Sequence, residues 1–126
     1  MQLPHWTRGL HHDGSEAYLS NPLPQAGETV TVRLRVPKEA PVRGVYLRTC
    51  PDGENHITEM RASGDTPTHT LYSAPMAITM PRNEYRFKLI TDEGAYYYNA
   101  LGVSRADSPD YFDFVLLANY QAPRWV

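Results

Sequence analysis

Three consecutive tyrosines, Tyr96, Tyr97 and Tyr98, stand out in "DEGAYYYNA" (92–100), in a chain of 126 residues with only 3 phenylalanines and 2 tryptophans. Successive side chains of a strand point to opposite faces, so a sheet with one dry side leaves at least one of these rings toward water. An exposed phenol ring offers a flat apolar face and a polar edge. Such a ring stacks on the C–H side of a pyranose while neighbouring polar groups take its hydroxyls. Tyrosine is also a favoured strand residue that packs on arginine or lysine stems with no ligand at all.

Which rings emerge depends on how "EYRFKLIT" (84–91) turns into "AYYYN" (95–99). A two-residue loop at Glu93 and Gly94 pairs Leu89 with Tyr98 and buries Tyr96 and Tyr98. A three-residue loop at Asp92, Glu93 and Gly94 pairs Leu89 with Tyr97. The second is favoured, because two-residue hairpins want Asn or Asp before the Gly, whereas a type I turn followed by a left-handed Gly accepts Asp-Glu-Gly. Tyr97 then turns inward. Tyr96 and Tyr98 stand outside with Arg86, Lys88 and Ile90, the two rings about 7 Å apart at a rise of about 3.4 Å per residue. Tyr96, Tyr98, Arg86 and Lys88 are thus the candidate carbohydrate-binding set.

Other reactive residue types lead to less. Retaining glycoside hydrolysis needs two carboxyl groups about 5 Å apart. Asp52, Glu54 and Glu59 are neighbours in sequence, but Asp52-Gly53-Glu54 reads as a turn, so no catalytic residue is assigned. His5, His11, His12, His56 and His69 lack metal-site spacing, and adjacent His11 and His12 would point opposite ways; all read as solvated histidines. Asp107 and Asp110 flank a Ser-Pro turn without the alternating oxygen ligands of a calcium loop. Neither a metal nor a cofactor is expected. Cys50 reads as a small core or edge residue. Trp6, in "LPHWTRGL", is an interface anchor or a cap on the open end of the fold. Trp125, beside Arg124, is expected to pack between this domain and whatever follows.

The elements that must position these residues are strands. In "TVTVRLRV" (29–36), Val30, Val32, Leu34 and Val36 alternate with polar residues, the period of a strand with one buried face. Weaker alternation marks 42–49, 56–62, 68–79, 84–91, 95–99 and 111–117, and "EAYLS" (16–20) reads as an earlier strand. Turn chemistry separates them at 51–55, 63–67, 81–83 and 92–94. No window carries the apolar stripe of a helix. The expected fold is all-β: an immunoglobulin-like antiparallel β-sandwich of 7–8 strands. The expected organisation is a lead segment (1–14), the sandwich (15–120), and the start of a linker (121–126) to an absent downstream domain, since "YQAPRWV" ends the chain on large apolar residues without a closing turn.

The net charge of -2, from 12 basic and 14 acidic residues, comes without a block of one sign, which argues against nucleic acid as a partner. The apolar runs are too short for a membrane span or a signal-peptide core, and the single cysteine excludes an internal disulfide. A cytoplasmic location is the default expectation.

Four stretches in order, "HDGSEAYLSNPLPQAGETVTVRLRVP" (12–37), "VYLRTCPDGENHITEM" (45–60), "YRFKLITDEGAYYYNALGVSRADSPDYFDF" (85–114) and "APRWV" (122–126), carry a resemblance. Together they are similar to the N-terminal domain of the cyclomaltodextrinase, neopullulanase and maltogenic amylase group, and to that of maltodextrin glucosidases. These are alpha-amylase-family enzymes of glycoside hydrolase family 13, and the domain is classed as carbohydrate-binding module family 34. Where many relatives have a Trp in the segment matching "HTLYSAP", this chain has the smaller Tyr72, which the resemblance adds as a further candidate carbohydrate-binding ring. The resemblance implies a sandwich that is not itself an enzyme, linked to a downstream catalytic barrel. Its implied roles are domain or subunit assembly, with a homodimer partner, and binding of an alpha-glucan oligosaccharide. The parent would hydrolyse maltodextrins, cyclodextrins or pullulan. The rival reading from another class is a free-standing β-sandwich interaction module.

Overall fold

The alternation of Val30, Val32, Leu34 and Val36 makes β1 (Thr29–Pro37) a strand with one completely dry face, each of these residues being at most 1% exposed. The structure, a computed structural model, describes residues 5–13, 15–21, 24–49, 56–79, 81–100, 102–104 and 113–118. Among the described residues eight further strands follow: β2 (Val42–Thr49), β3 (His56–Glu59), β4 (Arg61–Asp65), β5 (His69–Ala77), β6 (Arg82–Thr91), β7 (Gly94–Asn99), β8 (Gly102–Ser104) and β9 (Phe114–Leu117). A short 3-10 helix, His5–Gly9, precedes them.

All strand pairs are antiparallel and fall into two sheets. The smaller has the order β1, β5, β4; the larger has the order β3, β2, β6, β7, β8, with β9 also paired to β6. The inner faces meet in one core: Val30, Val32, Leu34, Val36, Ala74 and Met76 from the smaller sheet, and Val45, Leu47, Tyr85, Phe87, Leu89 and Tyr96 from the larger. Burying each large apolar side chain contributes roughly 1.5–3 kcal/mol, so these facing rows drive the two sheets together. The immunoglobulin-like sandwich expected from the sequence is what the chain forms.

Several elements differ from expectation: β8 (Gly102–Ser104) forms where no strand was expected, and β6 begins at Arg82, inside the expected 81–83 turn. The 56–62 segment is two strands, because the chain changes sheets at Met60, whose N–H bonds Val45 O at 2.8 Å while its side chain enters the core. The segment 16–20 makes only a single bridge, Leu19 to Val32. With the bridge from His11 to Arg35, it covers the free edge of β1 with backbone hydrogen bonds but no continuous ladder. The 63–65 stretch, expected as turn, completes β4.

One charged group holds β9 in register. Arg48 and Arg86 lie opposite each other on β2 and β6, on the outer face of the larger sheet, yet both are buried. Between them sits the Asp113 carboxylate, just before β9, 2.8 Å from Arg48 Nη1 and 3.5 Å from Arg86 Nε. Its side chain is wholly enclosed. Removing one member of a buried ion cluster leaves an uncompensated charge, at a cost of about 3–5 kcal/mol. Asp113→Ala is therefore expected to lower the unfolding free energy by about that amount, read from urea denaturation. Ile57→Ala, at a residue 54% exposed, should change it by less than about 0.5 kcal/mol.

Candidate functional site

The register of the larger sheet lines up five residues across its outer face. Glu59 on β3 lies opposite Tyr46 on β2, Tyr46 opposite Lys88 on β6, Lys88 opposite Tyr97 on β7, and Tyr97 opposite Ser104 on β8. Neighbouring strands are about 4.8 Å apart, so Tyr46 and Tyr97 stand about 10 Å apart with Lys88 between them. All three are partly exposed. The Lys88 ammonium lies 5.8 Å from the centre of the Tyr97 ring. Beside the row, Tyr46, Lys88, Ile57 and Ile90 line a shallow depression of about 250 Å³.

The Tyr46 ring is placed by what is missing beneath it. Gly44, two residues earlier on the same face, sits at an irregularity in the pairing with β6. A Cβ built there would fall 2.8 Å from the Tyr46 Oη and Cε2 atoms. The ring thus lies back along β2 over ground that only glycine leaves open.

The expected sugar-binding set does not assemble. Thr91 pairs with Gly94, making a two-residue loop of Asp92 and Glu93, a register that neither expected loop describes. Leu89 consequently faces Tyr96. The Thr91 hydroxyl closes this turn, donating to Gly94 O at 3.0 Å and accepting from the Glu93 N–H at 3.1 Å, and Arg43 pairs with Asp92 beside it. Gly94 takes φ 121°, a conformation other residues rarely adopt, but as the first residue of β7 instead of the last residue of a three-residue loop.

Relative to the favoured three-residue loop the shift turns every ring over, leaving Tyr96 and Tyr98 on the inner side as the two-residue alternative would. Tyr96, expected outside, is 1% exposed and packs edge-on against Trp6 at 5.1 Å. Tyr98, also expected outside, is half-buried on the inner side, 6.1 Å from Phe87 and 5.4 Å from Phe114. Tyr97, expected inside, is outside. Tyr72 lies opposite inward-facing Leu34 and packs on the core. Arg86 faces outward as expected but is consumed by Asp113; Lys88 alone keeps its expected place on the open face. Trp6 is buried against Tyr96, where it caps the core. Arg124, Trp125, Cys50, Asp52, Glu54, Asp107 and Asp110 lie outside the described residues. Tyr46 and Ile57 were missed, although inward Val45 and Leu47 already force Tyr46 outward.

His12, expected in solvent, is a core residue. Its Nδ1 donates to Arg33 O at 2.7 Å and its Nε2 accepts from the Tyr85 hydroxyl at 2.8 Å, amid the rings of Phe87, Phe114 and Tyr85. The neutral ring protonated at Nδ1 satisfies both partners. Burial lowers this imidazole from 6.5 to about 4, and burial likewise raises the Tyr85 and Tyr98 phenols. Among the described residues, no three His, Cys, Asp or Glu side chains group as a metal site, and no helix is long and apolar enough to cross a membrane.

Comparison with known proteins places this geometry. The family model described as "Alpha amylase, N-terminal ig-like domain" matches residues 9–118. A cyclomaltodextrinase structure superposes with a TM-score of 0.76 at 16% identity, covering 96% of this chain and 22% of that one. A maltogenic amylase from S. marinus gives 0.68 at 16% identity, covering 95% and 16%. The carbohydrate binding module of the muscle glycogen-targeting subunit of Protein Phosphatase-1 gives 0.53 at 13% identity, covering 75% and 68%. At these identities the likeness is one of fold, and the chain spans about a fifth or less of the two enzymes' length. No curated protein matches the sequence.

The histidine yields a pH prediction. Between pH 6.5 and about 4 the unfolded chain binds a proton at His12 that the folded chain refuses, so stability falls as pH drops through this window and levels off below it. The full loss is about 3 kcal/mol at about 1.4 kcal/mol per unit. Asp13, held near 2 chiefly by hydrogen bonds from the Ser15 side chain and backbone, titrates below that window. Urea midpoints measured from pH 7 to 4 should show the slope, and His12→Gln should flatten it.

Proposed function

Because the chain belongs to the family of N-terminal Ig-like domains of alpha amylases, we propose that it serves as the non-catalytic N-terminal domain of an alpha-glucan hydrolase and binds alpha-glucan on the row of Tyr46, Lys88 and Tyr97. The parent enzyme in this reading hydrolyses O-glycosidic bonds of maltodextrins, cyclodextrins or pullulan. The observation that carries the binding role is the row itself: two accessible rings flank an ammonium group on an open sheet face. Rings supply stacking surface for successive glucose units, and the ammonium and the Glu59 carboxylate supply a donor and an acceptor for hydroxyls. Kinship of fold with a carbohydrate binding module adds support.

Assembly with the catalytic domain or a second subunit is the companion reading. Val115 and Leu117 favour it: they are 39% and 45% exposed on β9, on the same outer face, at the end opposite the tyrosine row. Apolar side chains grouped near a rim serve docking better than sugar recognition. Hydrophobic contact there and stacking at the tyrosines are compatible.

Titration with beta-cyclodextrin or maltoheptaose separates these roles. The wild-type chain should show saturable amide NMR shifts at Tyr46, Lys88 and Tyr97. Tyr97→Ala and Tyr46→Ala should each weaken binding about tenfold, the approximate worth of one stacking contact, with unfolding midpoints nearly unchanged. Gly44→Ala, which displaces the Tyr46 ring, should weaken it as well. Saturable binding that survives both tyrosine substitutions would place the glucan elsewhere and defeat this reading of the row.

A further inference from the structure

A second concave surface lies apart from the tyrosine row, where the 3-10 helix meets the end of the smaller sheet. This cleft, of about 490 Å³, is lined by His5 and Arg8 of the helix, Lys38 and Glu39 just after β1, and Thr68 and His69 at the start of β5, among others. Its donors dominate. Arg8 is exposed and makes no ion pair among the described residues. Lys38 pairs with Asp65 at 3.0 Å, but both groups are largely in solvent, and such a pair is worth little enough to exchange for a ligand. The Thr68 hydroxyl lies 2.7 Å from His69 Nδ1.

The frame beneath these groups is tied down. The Lys38 N–H bonds Thr68 O at 3.0 Å, His69 N–H bonds Thr66 Oγ1 at 2.9 Å, and Thr66 N–H bonds His69 O at 2.9 Å. Arg35 Nε donates to Gly9 O at 3.4 Å and holds the helix against β1. The cleft is thus pre-formed, which removes part of the ordering cost of binding.

We propose that this cleft binds a sugar phosphate. A guanidinium with no ion pair among the described residues, lining one cleft with an ammonium and a hydroxyl, is the donor set for a phosphate, the guanidinium offering two parallel N–H groups in a fork. The volume exceeds what a bare phosphate fills. The lining also includes one carboxylate, Glu39, that repels an anion yet accepts hydrogen bonds from hydroxyls. A phosphate set toward Arg8, Lys38 and Thr68 with a hexose ring toward Glu39 satisfies both kinds of group. Inorganic phosphate satisfies only the first.

The test is titration of the 126-residue chain with glucose 1-phosphate, inorganic phosphate and maltose at constant ionic strength set by chloride, followed by amide NMR at Arg8, Lys38, Thr68 and His69. Glucose 1-phosphate should give saturable shifts there and maltose none. Arg8→Gln, at an exposed residue without an ion pair among the described residues, should keep the wild-type unfolding midpoint and weaken glucose 1-phosphate at least tenfold. Glu39→Gln should weaken glucose 1-phosphate several-fold and leave inorganic phosphate no weaker. Shifts that fail to saturate, that chloride reproduces, or that Arg8→Gln leaves intact overturn the site. Equal affinity for the two phosphates, with Glu39→Gln weakening neither, overturns the assignment to a sugar.

Discussion

Strand β6 carries the constraint on which both faces of the larger sheet depend. It hydrogen-bonds to β2, β7 and β9, and its alternation sends Tyr85, Phe87 and Leu89 into the core and Arg86, Lys88 and Ile90 outward. Because side chains in a strand have a period of two, a slip of one residue against β6 would exchange the faces of a whole neighbouring strand. The pairing of Thr91 with Gly94 prevents that slip. It commits Tyr96 to the core beneath Trp6 and Tyr97 to the open face beside Lys88.

Polar groups buried near the two ends of this arrangement are solved in different ways. His12 enters the aromatic cluster as a neutral ring, with both nitrogens satisfied by Arg33 O and the Tyr85 hydroxyl. Its backbone N–H donates to the Tyr98 hydroxyl at 3.3 Å, so a segment outside the sheets fastens to both β6 and β7. Asp113 remains an anion between two arginines, and the strand after it follows into register. The first arrangement fails by protonation and the second by loss of a partner, so the two can be perturbed independently.

Much of the fold was legible because its signals are repetitive. Val30 to Val36 alternate without interruption, and Val45 and Leu47 or Phe87 and Leu89 repeat the pattern, so strand type and an all-β sandwich follow from period alone. The hairpin was not legible, because its turn is closed by a side chain. Rules for hairpin loops weigh the residues in the loop and its glycine, whereas here the Thr91 hydroxyl, before the loop, bridges to Gly94 after it. The same limit hid Met60, where one buried methionine carries the chain between sheets with no proline or glycine to mark it. His12 was misread for a related reason: histidine is polar by type, and only contact with β6, 73 residues away, shows that its polarity is satisfied internally.

Two cations two residues apart on one face of β6 explain why only part of that face suits a ligand. Arg86 and Lys88 both point outward, and sequence pattern treats them alike. The Asp113 carboxylate reaches Arg86 and encloses it, so any ligand seeking that guanidinium must first part a buried ion cluster, at several kcal/mol. The Lys88 ammonium has no ion pair among the described residues and lies 5.8 Å from the Tyr97 ring, a contact worth about 0.5–1 kcal/mol at an exposed site. In the proposed binding mode a glucan hydroxyl replaces that contact at almost no net loss, and releasing the ammonium frees the ring for stacking. The face is therefore closed at the Arg86 end by electrostatics and open at the Lys88 end because its native contacts are weak.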